Sequence, residues 1–340
     1  MNRVANVLLG AIVLSTGFLD YWSYSQAFYS FPGIWMDVVS GTGKAPEQYR
    51  IGVVDTAYFL ARHLHVGMRH SLAMLDLVAA LIAVFALVQV LRRSAVYKAA
   101  SLASQWFASA AFIVLVQFYL TWLFWYQRPE TLPTAAMLAL SLLLLQMKFP
   151  LPEPAAKIGT VAGFLLLAGV QGFVRADVGL ALHVGILLAC LTPAGKGFAL
   201  PRAVQAGTSV VALMLTSGIQ FELMKKMFPH ASYGNTPVLQ LFFNLRSPSG
   251  YTPFLLFMIP VGWTGVLMAR RRYEAEAAEI GMFFAAAIFM AMWVTVGRIK
   301  EVRIFLPFAL ALAPLTAGLA MQRFLPGKDG SGERTGAAAA

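Results

Sequence analysis

The chain has 340 residues, of which 59% are hydrophobic and 12% are charged. A water-soluble core cannot absorb that share of apolar sequence, whereas helices that face lipid can. A net charge of +11 would suggest nucleic acid as the partner of a soluble protein. Here the basic residues stand between apolar runs, so we expect no nucleic acid and instead membrane lipids or a phosphate-bearing substrate.

A series of apolar runs, bounded by charged residues or by proline and glycine, predicts a helical bundle of about ten membrane spans. In chain order the runs are Val4–Trp22, Ser71–Leu91, Ala99–Trp125, Leu132–Met147, Ile158–Phe173, Val178–Leu191, Val204–Phe221, Tyr251–Met268, Ile280–Val296 and Ile304–Met321. The shorter runs leave re-entrant or broken helices open, and also a count of nine or eleven. Residues 1–325 are thus predicted to form one all-α, polytopic transmembrane domain, and residues 326–340 a disordered tail.

The distribution of basic residues predicts the orientation, because cytoplasmic loops are enriched in lysine and arginine. With the N-terminus inside, three basic clusters fall on the cytoplasmic side. They are Arg92, Arg93 and Lys98; Arg270, Arg271 and Arg272; and Lys196 with Arg202. Both termini are therefore predicted to be cytoplasmic, with long outer loops at about residues 21–70 and 222–250.

Many other basic residues fall on the outer side, against this bias. They are Arg50, Arg62, Arg69, Arg128, Arg175, Lys225, Lys226, Arg246, Arg298, Lys300 and Arg303. Two interpretations stay open. The residues can pair with the outer acids Glu47, Asp55, Glu130, Asp177 and Glu301, or they can together bind an external anion, for which phosphate is the natural candidate.

The first outer loop contains two candidate catalytic acids. Asp20 stands where the first span should leave the membrane, and Asp37 lies farther along. A carboxylate at the membrane face can act as a general base on a substrate hydroxyl. The aromatic residues around them indicate an interfacial belt, with a platform for a sugar or lipid as the alternative.

The end of this loop is predicted to form an amphipathic helix over Asp55–His70. Asp55, Arg62 and Arg69 recur at intervals of seven and so share one helix face. We expect this helix to lie along the outer interface or to enter the membrane obliquely.

The segment between the last two predicted spans carries Arg298, Lys300, Glu301 and Arg303. Arginine side chains beside apolar helices can clamp a lipid phosphate, with Glu301 orienting Arg303. A topological stop signal is the alternative, but such signals favour the opposite side of the membrane.

Two short patterns carry a resemblance to a known group of proteins. Tyr49-Arg50 precedes the predicted amphipathic helix, and Glu301-Val302-Arg303 precedes the proline-containing IFLPF. Together with the architecture, they resemble the broad GT-C superfamily of polyprenyl-phosphate-sugar-dependent glycosyltransferases and the neighbouring polysaccharide polymerases. The chain lacks the pair of adjacent carboxylates common in GT-C enzymes, and it has Val53-Val54-Asp55 where related segments often continue with proline.

The resemblance implies a bacterial inner membrane enzyme that moves a sugar from a polyprenyl-phosphate carrier to a glycan or lipid acceptor on the outer face. Asp20 or Asp37 would be catalytic. The residues expected to bind the lipid phosphate are Tyr49, Arg50, Arg298, Lys300, Glu301 and Arg303. No cofactor is expected, and a divalent metal is compatible with such enzymes but not indicated.

Two other function classes remain open from the sequence. One is a transporter or flippase for an anionic lipid or metabolite, which should carry polar residues at mid-membrane depth. The other is a non-catalytic subunit of an envelope assembly, in which local acids would neutralise the outer arginines.

Overall fold

The computed structural model describes residues 32–122, 128–147, 152–192, 198–234, 239–269 and 275–324, together with Gly10, Leu14, Gly17, Phe18, Tyr21 and Trp22. These residues form helices and turns, and no strand occurs among them. The predicted all-α class is confirmed for this part of the chain. Most of the first predicted span, the cluster Arg270 to Arg272, Lys196 and the tail 326–340 lie outside the described residues.

The described helices, in chain order, are α1 (Pro32–Val39), α2 (Ile51–Leu64), α3 (Met68–Arg93), α4 (Ala95–Ala99), α5 (Leu102–Thr121), α6 (Thr131–Gln146), α7 (Glu153–Leu191), α8 (Arg202–Glu222), α9 (Leu241–Arg246), α10 (Tyr251–Ala269), α11 (Ala277–Val296) and α12 (Leu306–Phe324). A π-helical turn, Leu223–Met227, extends α8. Short 3-10 turns cover Glu47–Tyr49, Pro248–Gly250 and Val302–Ile304.

Within the described ranges, 6 helices are long and apolar enough to cross a membrane. They are Met68–Arg93, Leu102–Thr121, Glu153–Leu191, Arg202–Met227, Pro248–Ala269 and Ala277–Val296. Shorter apolar helices cover Thr131–Gln146 and Leu306–Gln322. These helices are compatible with a multi-pass membrane protein.

Helix α7 has 39 residues and folds back on itself. Arg175 has φ −154° and ψ 81°, outside the helical region, and divides α7 into two legs. Thr216 of α8 donates a hydrogen bond to the Ala168 carbonyl in the first leg and also lies 3.4 Å from the Cβ position of Gly179 in the second. In a straight helix Ala168 and Gly179 would be about 16 Å apart along the axis. Because both contact the same Thr216 side chain, the two legs must form a helical hairpin.

The second leg of α7 crosses α11 at two glycines. A Cβ atom on Gly185 would lie 2.5 Å from the Gly281 carbonyl oxygen and 2.7 Å from the Ala285 Cα. A Cβ on Gly281 would lie 3.2 Å from the Cα of Ile186. Small residues let helix backbones approach closely, which is a main source of helix association inside membranes.

Helix α12 is the central helix of the described bundle. Every side chain from Phe305 to Leu319 is buried. A helix that is apolar on all sides fits only where other helices surround it. Because Pro307 lies in its first turn, the helix begins without losing an internal hydrogen bond.

The predicted helix over Asp55–His70 is shorter than expected. Helix α2 ends at Leu64 because His65 takes a left-handed conformation, with φ 54°. A new helix begins at Met68, so Arg69 belongs to α3 and does not share a face with Arg62.

The close crossing of α7 and α11 leads to a first prediction. We expect Gly185→Ala to lower the free energy of unfolding by about 1 to 3 kcal/mol, because the added methyl group meets backbone atoms that have no flexible end to move away. Thermal unfolding of the protein in detergent measures the change. Gly159→Ala in the same helix is the control, since no atom lies within 4 Å of its Cβ position. An equal loss in both variants would contradict the crossing.

A candidate site built on paired charges

One end of the bundle gathers charged residues from segments far apart in the sequence. Arg50 precedes α2, Glu130 precedes α6, Arg175 and Asp177 lie at the turn of the α7 hairpin, and Arg303 precedes α12. We call this group, together with Glu47, Arg128 and Glu301, the charged centre. The end of the bundle that carries it is the charged end.

Arg50 joins two carboxylates of the charged centre. Its Nη1 donates to Glu130 Oε1 at 2.8 Å, and its Nη2 lies 3.7 Å from Asp177 Oδ2. Burial lowers the pKa of Arg50, but the neighbouring carboxylates of Asp177 and Glu130 outweigh this effect and raise it above its usual value. Arg50 is therefore a permanent cation that links the start of α2 to the start of α6 and to α7.

Within the charged centre, Arg175 is the most enclosed residue, with a side chain only 3% exposed. Its Nε and Nη2 donate to the two oxygens of Asp177 at 3.2 and 2.7 Å. Its Nη1 donates to the Ile304 carbonyl at 3.2 Å, and its guanidinium carbon lies 5.4 Å from the Phe289 ring centroid. This one side chain ties the α7 turn to the segment that starts α12 and to α11.

Two further ion pairs complete the charged centre. Arg128 Nη1 lies 3.2 Å from Glu47 Oε1, and its guanidinium carbon lies 5.6 Å from the Trp35 ring. Arg303 Nη2 donates to Glu301 Oε2 at 2.8 Å. Burial lowers the pKa of Arg303, although the carboxylate of Glu301 opposes this shift.

Glu130 is the buried acid that precedes α6. Burial by itself would raise the pKa of its carboxyl group, but the guanidinium groups of Arg50, Arg175 and Arg128 lower it below its usual value. The start of α6 adds a further favourable field, because a helix N-terminus carries partial positive charge. Glu130 is therefore held as a carboxylate and acts as an acceptor.

The ion pairs support one of the two interpretations that the sequence left open for the outer basic residues, namely pairing with outer acids. Arg50, Arg128, Arg175 and Arg303 all pair with acids that the sequence offered as partners. Asp55, a fifth acid considered there, makes no ion pair with the described residues. Because each arginine of the charged centre has an acid beside it, the centre carries little net charge.

Asp37 is the one predicted catalytic acid that the structure describes, and it is not part of the charged centre. Asp20 lies outside the described residues. Asp37 is exposed on α1, where its carbonyl oxygen accepts hydrogen bonds from Ser40 and Thr42. No ion pair connects the Asp37 carboxylate to a described residue.

The predicted phosphate-binding residues divide into two groups. Arg50, Glu301 and Arg303 lie in the charged centre, and Tyr49 supports it by donating a hydrogen bond of 2.8 Å from its hydroxyl to the Ala231 carbonyl. Arg298 and Lys300 differ from these, because neither makes an ion pair with the described residues.

The sequence did not identify Glu130, Arg175 and Asp177 as site residues, although it named all three as outer charges. The sequence does contain a signal for them, because each of the three stands at the edge of an apolar run. A charged residue at such a position must pair with another charge or contact water. Which charges would meet depends on how the helices pack, and no spacing along the chain reveals that.

Two polar residues inside the helices lie apart from the charged centre. Asp76 of α3 is buried, and so is His183 in the second leg of α7. The His183 ring meets the Phe164 ring edge-on, with centroids 5.3 Å apart, which is a contact typical of side chains packed in a core. Among the described residues, no group of three or more His, Cys, Asp and Glu side chains could hold a metal ion.

Comparisons of the chain with protein-family models, with curated proteins and with solved structures find no significant match. The class defined by the described fold is thus a helical protein with several helices able to cross a membrane.

The Arg50–Glu130 pair leads to a second prediction. Glu130→Gln should lower the free energy of unfolding by about 1 to 3 kcal/mol, because the enclosed guanidinium loses a charged acceptor but keeps Asp177 nearby. The double variant Arg50→Gln/Glu130→Gln should be destabilised by less than the sum of the two single variants. Denaturation in detergent measures this coupling, and simple additivity would show that the pair is not coupled. Glu153→Gln removes an exposed pair with Lys157 and is the control.

A third prediction concerns pH. The pKa of Glu130 is lower in the folded protein than its ordinary value of 4.5, so its contribution to stability is complete above that value. This contribution is lost as the pH falls through the lowered pKa of the folded state. We expect the wild-type unfolding temperature to fall more steeply below about pH 4.5 than that of Glu130→Gln. Parallel slopes for the two proteins would contradict the prediction.

Proposed function

We propose that this chain is a membrane glycosyltransferase of the bacterial inner membrane, which moves a sugar from a polyprenyl-phosphate carrier to a glycan or lipid acceptor on the outer face. The observation that carries the proposal is the charged centre itself. Four segments bring arginine side chains to one end of an apolar bundle. A substrate could place its phosphate head beside these arginines and its hydrocarbon tail against the apolar helices.

The proposed topology has about ten spans, with the charged end outside and both termini in the cytoplasm. In support, the two legs of α7 match two separate apolar runs. Arg92 and Arg93 end α3 and Lys98 lies in α4, at the end of the bundle opposite to the charged centre. Such a cluster is typical of a cytoplasmic loop.

In this topology α2 is the amphipathic helix of the first outer loop. Ile51, Val53 and Val54 pack into the protein, whereas Tyr58 and Phe59 remain exposed. Exposed aromatic side chains on a helix at the end of a membrane bundle are suited to the headgroup layer.

The proposed chemistry needs a base for the acceptor hydroxyl and positive charge for the departing phosphate. Asp37 is suited to the first role because its carboxylate is exposed and makes no ion pair with the described residues. Asp20 remains the other candidate base. Arg50 and Arg303 supply positive charge that is already oriented by Glu130 and Glu301, so little reorganisation is needed as the phosphate leaves.

One observation favours a second function, that of a non-catalytic subunit of an envelope assembly. The arginines of the charged centre are neutralised by local acids, as a purely structural centre would require. The two functions differ in what they require of Arg303: an assembly subunit needs only its ion pair, whereas a transferase needs its charge during the reaction.

The fourth prediction separates these functions. Arg303→Ala should reduce the rate at which polyprenyl phosphate is released from a polyprenyl-phosphate sugar by roughly a hundredfold or more, because one electrostatic contact to the transition state is removed. Release is measured in membranes that contain the protein and the native acceptors, across a panel of sugar donors. Lys225→Gln changes an exposed charge that makes no ion pair with the described residues and is the control.

Folding must be checked alongside, by the unfolding temperature of each purified variant. Loss of release in a folded Arg303→Ala variant supports the transferase. Full release by that variant rules out the proposed role of Arg303. No release by the wild type with any donor favours the assembly subunit.

A further inference from the structure

Several basic residues at the charged end make no ion pair with the described part of the chain, among them Arg246, Arg298 and Lys300. Arg246 is the last residue of α9, and the other two lie just after α11. We call these three residues the basic rim. The centre beside them is compensated by its own acids, whereas no acid among the described residues pairs with the basic rim.

The basic rim is held in place by Asn244, which is 3% exposed. Its side-chain amide donates to the carbonyl groups of Val294 and Gly297, at 2.8 Å each. Its Oδ1 accepts a hydrogen bond of 3.2 Å from the backbone N–H of Ile299. One side chain therefore fixes α9 against the residues on both sides of Arg298.

Helix α9 also presents apolar side chains that no other part of the described protein covers. Phe242 is 61% exposed, Leu245 61% and Phe243 46%. The guanidinium carbon of Arg298 lies 5.3 Å from the Phe243 ring centroid, so a cation and this apolar surface are in direct contact. Large apolar side chains exposed beside unpaired cations are typical of a surface that binds a lipid by its head and its tail together.

We propose that the phosphate of the polyprenyl carrier binds at the basic rim, with its isoprenoid chain against Phe242, Phe243 and Leu245. This inference rests on the proposed function and assigns the carrier site to residues outside the compensated centre. Charge complementarity selects a phosphate head, and the exposed face of α9 selects a hydrocarbon tail. The turn that contains Arg298 and Lys300 continues directly into Glu301 and Arg303, so a phosphate at the rim adjoins the charged centre.

In this arrangement Asn244 is a positioning residue. It has no charge to offer the phosphate, but its three hydrogen bonds set where the Arg298 backbone lies. Loss of the Asn244 amide should therefore weaken binding without removing any charge.

The experiment measures binding of a long-chain polyprenyl phosphate to the full-length protein in nanodiscs of zwitterionic lipid. We expect Arg298→Gln/Lys300→Gln to bind at least about tenfold more weakly than wild type, since the loss of even one charge-assisted hydrogen bond is enough for that change. Asn244→Ala should weaken binding in the same direction. Lys225→Gln, an exposed charge at the same end, should bind as the wild type does.

Competition tests identify which part of the ligand is recognised. Inorganic phosphate and phosphatidylglycerol should each displace the probe only at concentrations far above its own. Equal displacement by phosphatidylglycerol would mean that the rim binds bilayer lipids generally, and it would overturn the assignment. Equal weakening by Lys225→Gln would show a non-specific charge effect and overturn it too.

Failure of this inference is distinguishable from failure of the proposed function. If the protein transfers sugar and the rim variants bind the carrier as the wild type does, the basic rim is not the carrier site, but the proposed transferase function is retained. If the carrier binds specifically at the basic rim but no sugar is transferred, the carrier site is supported and the transferase function is refuted.

Discussion

A guanidinium group enclosed among apolar helices must be fully paired, and Arg175 is the place where this requirement shapes the bundle. Its fork meets Asp177, two residues on, which is possible because the backbone leaves the helical region at Arg175 itself. The remaining donor finds the Ile304 carbonyl and thereby fixes where α12 begins. Without this set of partners, the reversal of α7 would bury a charge at a free-energy cost of several kcal/mol.

Several other features depend on that reversal. Because the second leg of α7 returns through the bundle, Gly185 can meet α11 at backbone distance. Asp177 is also placed at the start of this leg, within 3.7 Å of Arg50, and so connects the hairpin to α2. The charged centre is therefore a consequence of helix packing as much as a group of polar residues, and the stability of the bundle and the geometry of the site cannot vary independently.

The sequence predicted the helices well where hydrophobicity decides the structure. The edges of apolar runs separated the two legs of α7, since Arg175 and Asp177 interrupt the run between them. The break at His65 was missed because a left-handed residue that is not glycine leaves little signal in a single sequence. The sequence identified the acids that could pair with the outer arginines, but not which acid pairs with which arginine. Only the packing of the helices places Glu130 beside Arg50. Asn244 had no sequence signal at all, because its three partners are backbone groups about fifty residues away.

In the proposed topology, the unequal lengths of the helices would matter for the surrounding membrane. Helix α6 has 16 residues, about 24 Å, and the second leg of α7 is equally short, whereas a hydrocarbon layer is about 30 Å thick. Helix α3, with 26 residues, exceeds that thickness. In the proposed topology, α6 and the second leg of α7 would not reach across the full hydrocarbon layer, so Glu130 and Asp177 at their starts would lie below the level of the lipid headgroups. A molecule diffusing in one leaflet could then bring its polar head to the arginine side chains without leaving the membrane.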